Sequence, residues 1–386
     1  MRILQIAPLI SPTGEYGGPT TVALEQCAAL RAAGHDALLA AGSRGYDERP
    51  TELHGVPVHL FPAWAPPRLG LRGLTSPTLV EWVARVAPTA DVVHVHLARD
   101  FASLPAAAIA LARRAPLVIQ THGMIQPTGN PAAPLLDAVL TRRVLRSAGR
   151  VFYLTDAERA GLERVTGGLR LQHLRNGITF PAGPTRAKAN DSSASAAIEV
   201  LYLARLQARK HPRAFVEIAA ALAPSHPDAR FTLVGPDEGQ GAAVEARIAE
   251  LGLGPRVRWI GPVPPERARD IMAGADLYVL PSVDEPYPMT VIEALAFGLP
   301  VVLTDSNGLA PLVVESGAGT VVSGAPLDLD GLTQAVDRYL SDADLRIATA
   351  IRARRVAEER LSMPAVVAAL VRTYDEVIGA APPPYS

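Results

Sequence analysis

Cysteine is almost absent from this chain. Cys27 stands alone, so no intramolecular disulfide can form and cysteine-built zinc sites are excluded. A reducing, cytoplasmic setting is the expectation from such usage. An excess of charge of one sign is absent too. Lys and Arg number 37 against 38 Asp and Glu, which leaves no basic surplus for nucleic acid. Long apolar runs are also missing. The longest candidate, Phe101 to Gln120, is interrupted by Arg113, Arg114 and two prolines and reads as a helix followed by a strand. No transmembrane helix is expected. Met1 to Pro8 runs into a strand pattern with no basic segment and apolar stretch, so no signal peptide is expected either.

What is present describes a soluble globular protein. Apolar residues make up 48% of 386 residues and charged residues 19%, too long a chain for one ordinary core. Short apolar runs alternate with helical patterns. Strands are predicted at 3–7, 37–41, 58–61, 92–95, 117–120 and 151–154, with helices near 20–33, 78–87, 102–114, 134–147 and 156–165. Residues 181–197, PAGPTRAKANDSSASAA, have little to bury and read as a linker or mobile loop. The alternation then restarts. Strands are predicted at 200–203, 231–234, 257–260, 277–280, 301–303 and 320–322. Helices are predicted near 212–222, 240–251, 265–273, 290–297, 329–340, 344–360 and 364–378. Strand–helix alternation implies parallel sheets covered on both faces. The expected fold class is therefore α/β, with two Rossmann-like domains facing each other across a cleft. Residues 1–180 would form one and 198–363 the other, with the helix from about 364 to 386 packing back on the first.

Open parallel sheets bind ligands at the carboxyl ends of their strands, and three segments there draw the eye. Gly14 to Thr20, including Gly17 and Gly18, lies between the first strand and first helix. Paired glycines let backbone approach a ligand, and a helix N-terminus offers N–H groups to an anion. A plain strand-to-helix turn is an equal reading. Arg205 and Lys210, five apart after strand 200–203, can clamp a diphosphate or be ordinary cations of a solvated loop. Glu285 and Glu293 are separated by seven residues, the first in a loop and the second early in a helix that ends at Gly298. Carboxylates in a cleft accept hydrogen bonds from sugar hydroxyls. A glutamate in a first helical turn also suits the helix dipole.

The string Glu285…Glu293 with ALAFGLP behind it resembles the EX7E pattern of family 4 of the retaining glycosyltransferases, which have the GT-B fold. The likeness extends over nearly the whole chain through Gly17–Gly18, the Gly34-His35 turn, Arg205…Lys210 and Asn176-Gly177. It implies that Arg205 and Lys210 bind a donor diphosphate, aided by backbone amides of Gly17, Gly18 and Met289, Thr290 and Val291. Glu293 would take the ribose hydroxyls and Glu285 those of the transferred sugar. Val263, in Gly261-Pro262-Val263, belongs to a loop that would meet the nucleobase, and Gly235 would line the nucleotide pocket. His122, just past strand 117–120, would hydrogen-bond the sugar. His94 and His96 alternate on one strand without a third ligand at sensible spacing and read as structural. Two departures stand out. Tyr287-Pro288 replaces an aromatic-glycine pair and removes an N–H, and Asn307 to Pro311 lacks the acidic member of a Gly-Gly-x-x-Glu-like segment.

The activity so implied is retaining, metal-independent transfer from a UDP- or GDP-linked sugar to a hydroxyl, with no cofactor. No carboxylate suggests itself as a covalent nucleophile, so a same-face substitution is expected. The acceptor is an exopolysaccharide or lipid-linked glycan, from the resemblance of THGMIQP to such enzymes, or else a small molecule. A sugar-nucleotide epimerase and a non-catalytic nucleotide-sugar binder are the rival readings. Leu135 to Arg146 sets apolar residues beside Arg142, Arg143 and Arg146, which reads as a core-packed helix with a basic edge or as a weak peripheral contact with an anionic membrane face.

Overall fold

The computed structural model describes residues 1–12, 18–66, 73–130, 133–178, 180 and 197–380. The chain divides into two compact units, Met1–Gly177 with Met363–Ser386, and Ile178–Ser362. The first carries strands β1 (Arg2–Ile10), β2 (Asp36–Ser43), β3 (Glu52–Leu53), β4 (Val56–Pro62), β5 (Val92–His96), β6 (Leu117–Gln120), β7 (Arg150–Tyr153) and β8 (Leu171–His173). Their order is β3-β4-β2-β1-β5-β6-β7-β8, and only the β3–β4 pair is antiparallel. Helices α1 (Gly18–Ala32), α2 (Pro77–Val86), α3 (Ser103–Ala112), α4 (Ala133–Leu136), α5 (Arg142–Ser147) and α6 (Asp156–Val165) connect them.

The second unit carries β9 (Glu199–Leu203), β10 (Arg230–Val234), β11 (Val257–Trp259), β12 (Leu277–Leu280), β13 (Val301–Thr304) and β14 (Gly319–Val322). All are parallel, in the order β11-β10-β9-β12-β13-β14. Its helices are α7 (Pro212–Leu222), α8 (Gly241–Glu250), α9 (Pro265–Ala273), α10 (Met289–Ala296), α11 (Ala310–Ser316), α12 (Leu329–Ser341) and α13 (Ala343–Arg360), and α14 (Met363–Ala380) belongs to the first unit. Counted along the chain, the second sheet runs third, second, first, fourth, fifth, sixth, the doubly wound order. Such sheets bind ligands where the order reverses, here between β9 and β12. The first sheet reverses in the same way between β1 and β5.

Burial on both faces explains the strand composition. Every residue of β1 from Ile3 to Ile10 is buried, as a strand covered on both sides requires. Helix α14 buries Met363, Val366, Val367, Leu370, Tyr374 and Val377 at helical spacing, in one cluster with Cys27 and Leu30 of α1. Each such large side chain gives up roughly 1.5–3 kcal/mol if left in water. Gly149 permits this approach, since a Cβ there would lie 2.4 Å from Val377.

The structure departs from expectation at several elements, among them the short strands β3 and β8, which were not expected. The stretch expected as one helix over 134–147 is three pieces, with a π-helical segment Asp137–Thr141 between α4 and α5. Leu135 of α4 and Val139 of the π segment are exposed, 70% and 67%, and Arg142, Arg143 and Arg146 of α5 are exposed as well. Helix α11 was not expected at all. Residues 181–196 of the expected linker lie outside the described residues. Among the described residues, no helix is long and apolar enough to cross a membrane.

Candidate functional site

At the reversal point of the second sheet the chain leaves β9 through Ala204–Gln207 and makes a short 3-10 turn, Ala208–Lys210, before α7. Lys210 is 7% exposed, and its Nζ bonds the Glu285 carboxylate, itself 6% exposed. Arg209 Nη1 reaches the same carboxylate oxygen at 3.0 Å and the Asp284 carbonyl at 3.3 Å, while Val283 donates its N–H to the Arg209 carbonyl at 2.9 Å. The loops after β9 and β12 are thus stitched by backbone and by charge. Glu285 is held from its other side by Gly308, whose N–H bonds the Glu285 carbonyl at 2.8 Å. Burial pulls the Lys210 pKa down, opposed by its contact with Glu285. Arg205 sits further out, 54% exposed at its side chain, and pairs with Glu238 at 2.9 Å; the Gln207 amide bonds the same carboxylate.

Helix α10 opens beside this cluster. Val291 donates its N–H to the Pro288 carbonyl at 3.1 Å, so of the three α10 amides expected at a phosphate those of Met289 and Thr290 are left without a backbone acceptor among the described residues. Thr290 accepts from the Tyr278 hydroxyl at 2.8 Å. The Glu293 carboxylate has no hydrogen-bond partner among the described residues. Burial pushes its pKa up, and Arg269 pulls it back in part. A half-buried carboxylate without a donor is what a hydroxyl-bearing ligand would satisfy.

Gly235 follows β10 with φ +141°, and a Cβ there would lie 2.1 Å from the Ala204 carbonyl. Only glycine lets the loops after β9 and β10 meet so closely. Its N–H bonds the Gly261 carbonyl at 2.9 Å, which brings in the loop that holds partly buried Val263. In the first unit, Gly18 begins α1 with open space around it. Gly17 lies outside the described residues.

His122 follows β6 in a left-handed turn, φ +49°, with Gly123 at +75°. Glu158, 3% exposed at the start of α6, holds that turn. Its carboxylate accepts from the Thr121 hydroxyl, the Gly123 N–H and, at 2.7 Å, the Leu154 N–H. The His122 and His96 rings are nearly parallel, 13° apart, with centroids 5.0 Å apart, and His122 Nε2 lies 2.7 Å from His96 Nδ1. Burial lowers the His122 pKa to about 3 and drives His96 well below the usual range. His94 stacks on His96 at 4.7 Å and bonds the Tyr374 hydroxyl at 2.8 Å.

The structure therefore brings Lys210 and Glu285 into direct contact, with Met289 and Thr290 opening the helix that carries Glu293, and sets Arg205 at the rim on another carboxylate. It also shows residues that sequence reasoning passed over: Arg209 as a second partner of Glu285, Glu238 as the partner of Arg205, and Glu158, Gln5 and His96 around His122. His96 was read as structural only. A signal was available there, since Gln5, His94, His96 and Gln120 are polar residues in strands that are otherwise apolar. Among the described residues, no group of three His, Cys, Asp or Glu could hold a metal ion.

Residues 17–175 match the glycosyl transferase 4-like domain, and residues 186–356 match the glycosyl transferases group 1. The D-inositol 3-phosphate glycosyltransferase of Corynebacterium urealyticum is 30% identical over 243 residues, 58% of this chain and 55% of that protein. The alpha-D-kanosaminyltransferase of Streptomyces kanamyceticus is 28% identical over 280 residues, 68% of this chain and 69% of that protein. The match spans about half the length of the inositol phosphate enzymes. Among solved structures, Anabaena HepE in complex with UDP superposes with a TM-score of 0.75 at 21% identity, covering 97% of this chain and 100% of that one. Sucrose-phosphate synthase from Thermosynechococcus elongatus gives 0.70 at 21% identity, covering 98% and 100%. Identity at that level speaks to the fold, two parallel-sheet α/β domains of the GT-B class.

Proposed function

The chain belongs to the group 1, family-4-type glycosyl transferases, and we propose that it moves a sugar from a nucleoside diphosphate to a hydroxyl acceptor with retention and without a metal. The observation that carries this reading is the Lys210–Glu285–Arg209 cluster at the reversal point of the second sheet. A diphosphate arriving there competes with Glu285 for Lys210 and with Glu238 for Arg205. Glu285 is then left on Arg209, with its second oxygen available to sugar hydroxyls. Glu293, without a partner, takes the ribose hydroxyls, and the amides of Met289 and Thr290 face the phosphates. Gly235 and Val263 line the nucleoside side, and His122 meets the sugar.

In the transfer step the bond from the anomeric carbon to the diphosphate oxygen breaks. The acceptor oxygen bonds the same face of that carbon, and its proton passes to the departing phosphate oxygen. Lys210 and Arg205 stabilise the negative charge that grows on the leaving group, which is where fixed cations lower a barrier most. This division of labour asks nothing of a metal. UDP is the favoured nucleotide, since HepE was solved with UDP and with UDP-glucose. The favoured acceptor is a glycan or lipid-linked glycan. A small polyol is the second reading, favoured by the relatives named for D-inositol 3-phosphate. The exposed Leu135 and Val139 beside three arginines are offered to an anionic lipid surface at the cytoplasmic face.

Slow donor hydrolysis tests the reading without an acceptor. Incubation with UDP- and GDP-sugars in excess chelator should release one nucleoside diphosphate. The freed sugar, followed by proton NMR before it mutarotates, should keep the donor's anomeric configuration. An inverted sugar, or release only with a divalent ion, would contradict the mechanism.

A further inference from the structure

The polar residues buried in the first sheet form one directed chain of hydrogen bonds. Gln5 pairs in register with His94, and His96 with Gln120, so these side chains share one face of the sheet. Gln26 of α1 and Tyr374 of α14 meet them there. Gln5 donates its amide to Gln26 at 3.5 Å, Gln26 to Gln120 at 3.1 Å, and Gln120 to Asn176 at 3.3 Å. Gln5 also hydrogen-bonds Tyr374. With its amide hydrogens so directed, Gln5 turns its carbonyl Oε1 to His96 Nε2, 3.0 Å away.

That orientation has a consequence two rings further on. A carbonyl oxygen only accepts, so His96 Nε2 must carry the proton. A neutral His96 then has its lone pair on Nδ1, the atom 2.7 Å from His122 Nε2. His122 must therefore donate from Nε2, and its own lone pair falls on Nδ1. That atom has no partner among the described residues, and the ring around it is only half-buried. Meanwhile the clamp of Glu158 on Thr121, Gly123 and Leu154 fixes the turn from which the ring projects. A buried polar chain of this kind costs stability wherever a member is unsatisfied, and His94 Nε2 is such a member. The chain does more than fill the core.

We propose that Gln5 and His96 are positioning residues that fix His122 in its Nε2–H tautomer, so that Nδ1 is presented as a hydrogen-bond acceptor to a hydroxyl of the transferred sugar. The proposal rests on the glycosyltransferase reading for its ligand, though not for its tautomer. It also gives His96 a role that a core histidine lacks. Were Gln5 unable to accept, His96 could place its proton on Nδ1, and His122 would have to accept at Nε2 and carry its proton on Nδ1. The ring would then offer the sugar a donor in place of an acceptor.

The test uses the full chain labelled with nitrogen-15 histidine. Long-range nitrogen–proton NMR reads which ring nitrogen of His122 is protonated, with signals assigned through single-histidine variants. The wild type should show the proton on Nε2, and Gln5→Met should show it wholly or partly on Nδ1. In parallel, calorimetry compares UDP with UDP-glucose. UDP affinity should be equal in wild type and Gln5→Met, while the variant binds UDP-glucose about tenfold more weakly, the worth of one well-made hydrogen bond to a neutral group. Gln5→Glu restores an acceptor and should restore both readings. A wild-type proton on Nδ1, or a variant with an unchanged His122 and an unchanged ratio of the two affinities, overturns the proposal. Failure of the wild type to bind UDP at all would count against the donor site in the second unit, and the NMR arm would still decide the tautomer.

Discussion

The two sheets reverse their strand order in the same way and build opposite chemistry at the reversal. In the second unit the loops after β9 and β12 bring together ionised groups: Lys210, Arg209 and Glu285, with Arg205 and Glu238 at the rim. In the first unit β1, β5 and β6 bring together neutral ones: Gln5, His94, His96, Gln120 and His122. The difference teaches what each place can do. A buried cation paired with a carboxylate can trade that partner for a phosphate at little electrostatic cost, since one anion replaces another. A chain of neutral donors and acceptors cannot trade partners so freely, and instead fixes direction. One region is built to exchange, the other to orient.

The largest expected effect breaks the exchanging region. Lys210→Ala should weaken nucleotide-sugar binding about 100-fold by calorimetry, the scale of a hydrogen bond to a charged group, while circular dichroism still shows a folded chain. Arg209 remains on Glu285 in that variant, so the carboxylate is not left bare. Glu293→Gln should cost less, about tenfold, because an amide still meets a hydroxyl. Unchanged donor affinity in both variants would remove the second unit from the donor site.

Acid sharpens the comparison. His94 and His122 have pKa values near 3 in the folded chain because burial disfavours their charged forms. Their unfolded values lie near 6.5, so the unfolded state binds protons first as pH falls. Stability contributed by these histidines is complete above about pH 6.5 and is lost progressively towards pH 3. The slope approaches ~1.4 kcal/mol per pH unit for each. Hydrogen exchange at pH 7 and pH 5 should show protection lost preferentially in β1, β5 and β6, with the second unit changed less. Equal loss in both would contradict the assignment of neutral histidines to the first unit.

These regions were unequally legible from sequence. Strand 277–280 and helices 212–222 and 265–273 fall where the apolar pattern put them, because period and flanking Gly and Pro suffice there. Helix α11 escaped because Ala310–Ser316 is short and follows Asn-Gly, which reads as a turn. The π segment at Asp137–Thr141 has no period of its own to read, and Asp137 owes its place to Arg99, which bonds it at 2.8 Å from 38 residues away. The EX7E string announced Glu285 and Glu293. It could not announce that Glu285 pairs with Lys210 and Arg209, since 75 residues separate the partners. In the first sheet the buried glutamine and histidines were visible, but the direction of their hydrogen bonds exists only once register and the helices α1 and α14 are known.

The smallest expected effect lies at the exposed apolar residues of α4 and the π segment. Leu135→Glu with Val139→Glu should leave melting temperature and donor hydrolysis unchanged, as surface substitutions do within about 0.5 kcal/mol. It should reduce sedimentation with anionic vesicles. Undiminished vesicle binding would exclude this face as a lipid contact.

The central claim is that a nucleoside diphosphate binds at the charged reversal point without a metal. A thermal-shift screen against UDP, GDP, TDP, ADP and their sugar conjugates, with and without chelator, tests it most directly. Ligand at about 100 times its dissociation constant stabilises the folded state by roughly 2.7 kcal/mol, a rise of several degrees for a chain of this size. The account predicts such a rise with one nucleotide, undiminished by chelator and absent in Lys210→Ala. No shift with any nucleotide, or a shift that chelator abolishes, would contradict it.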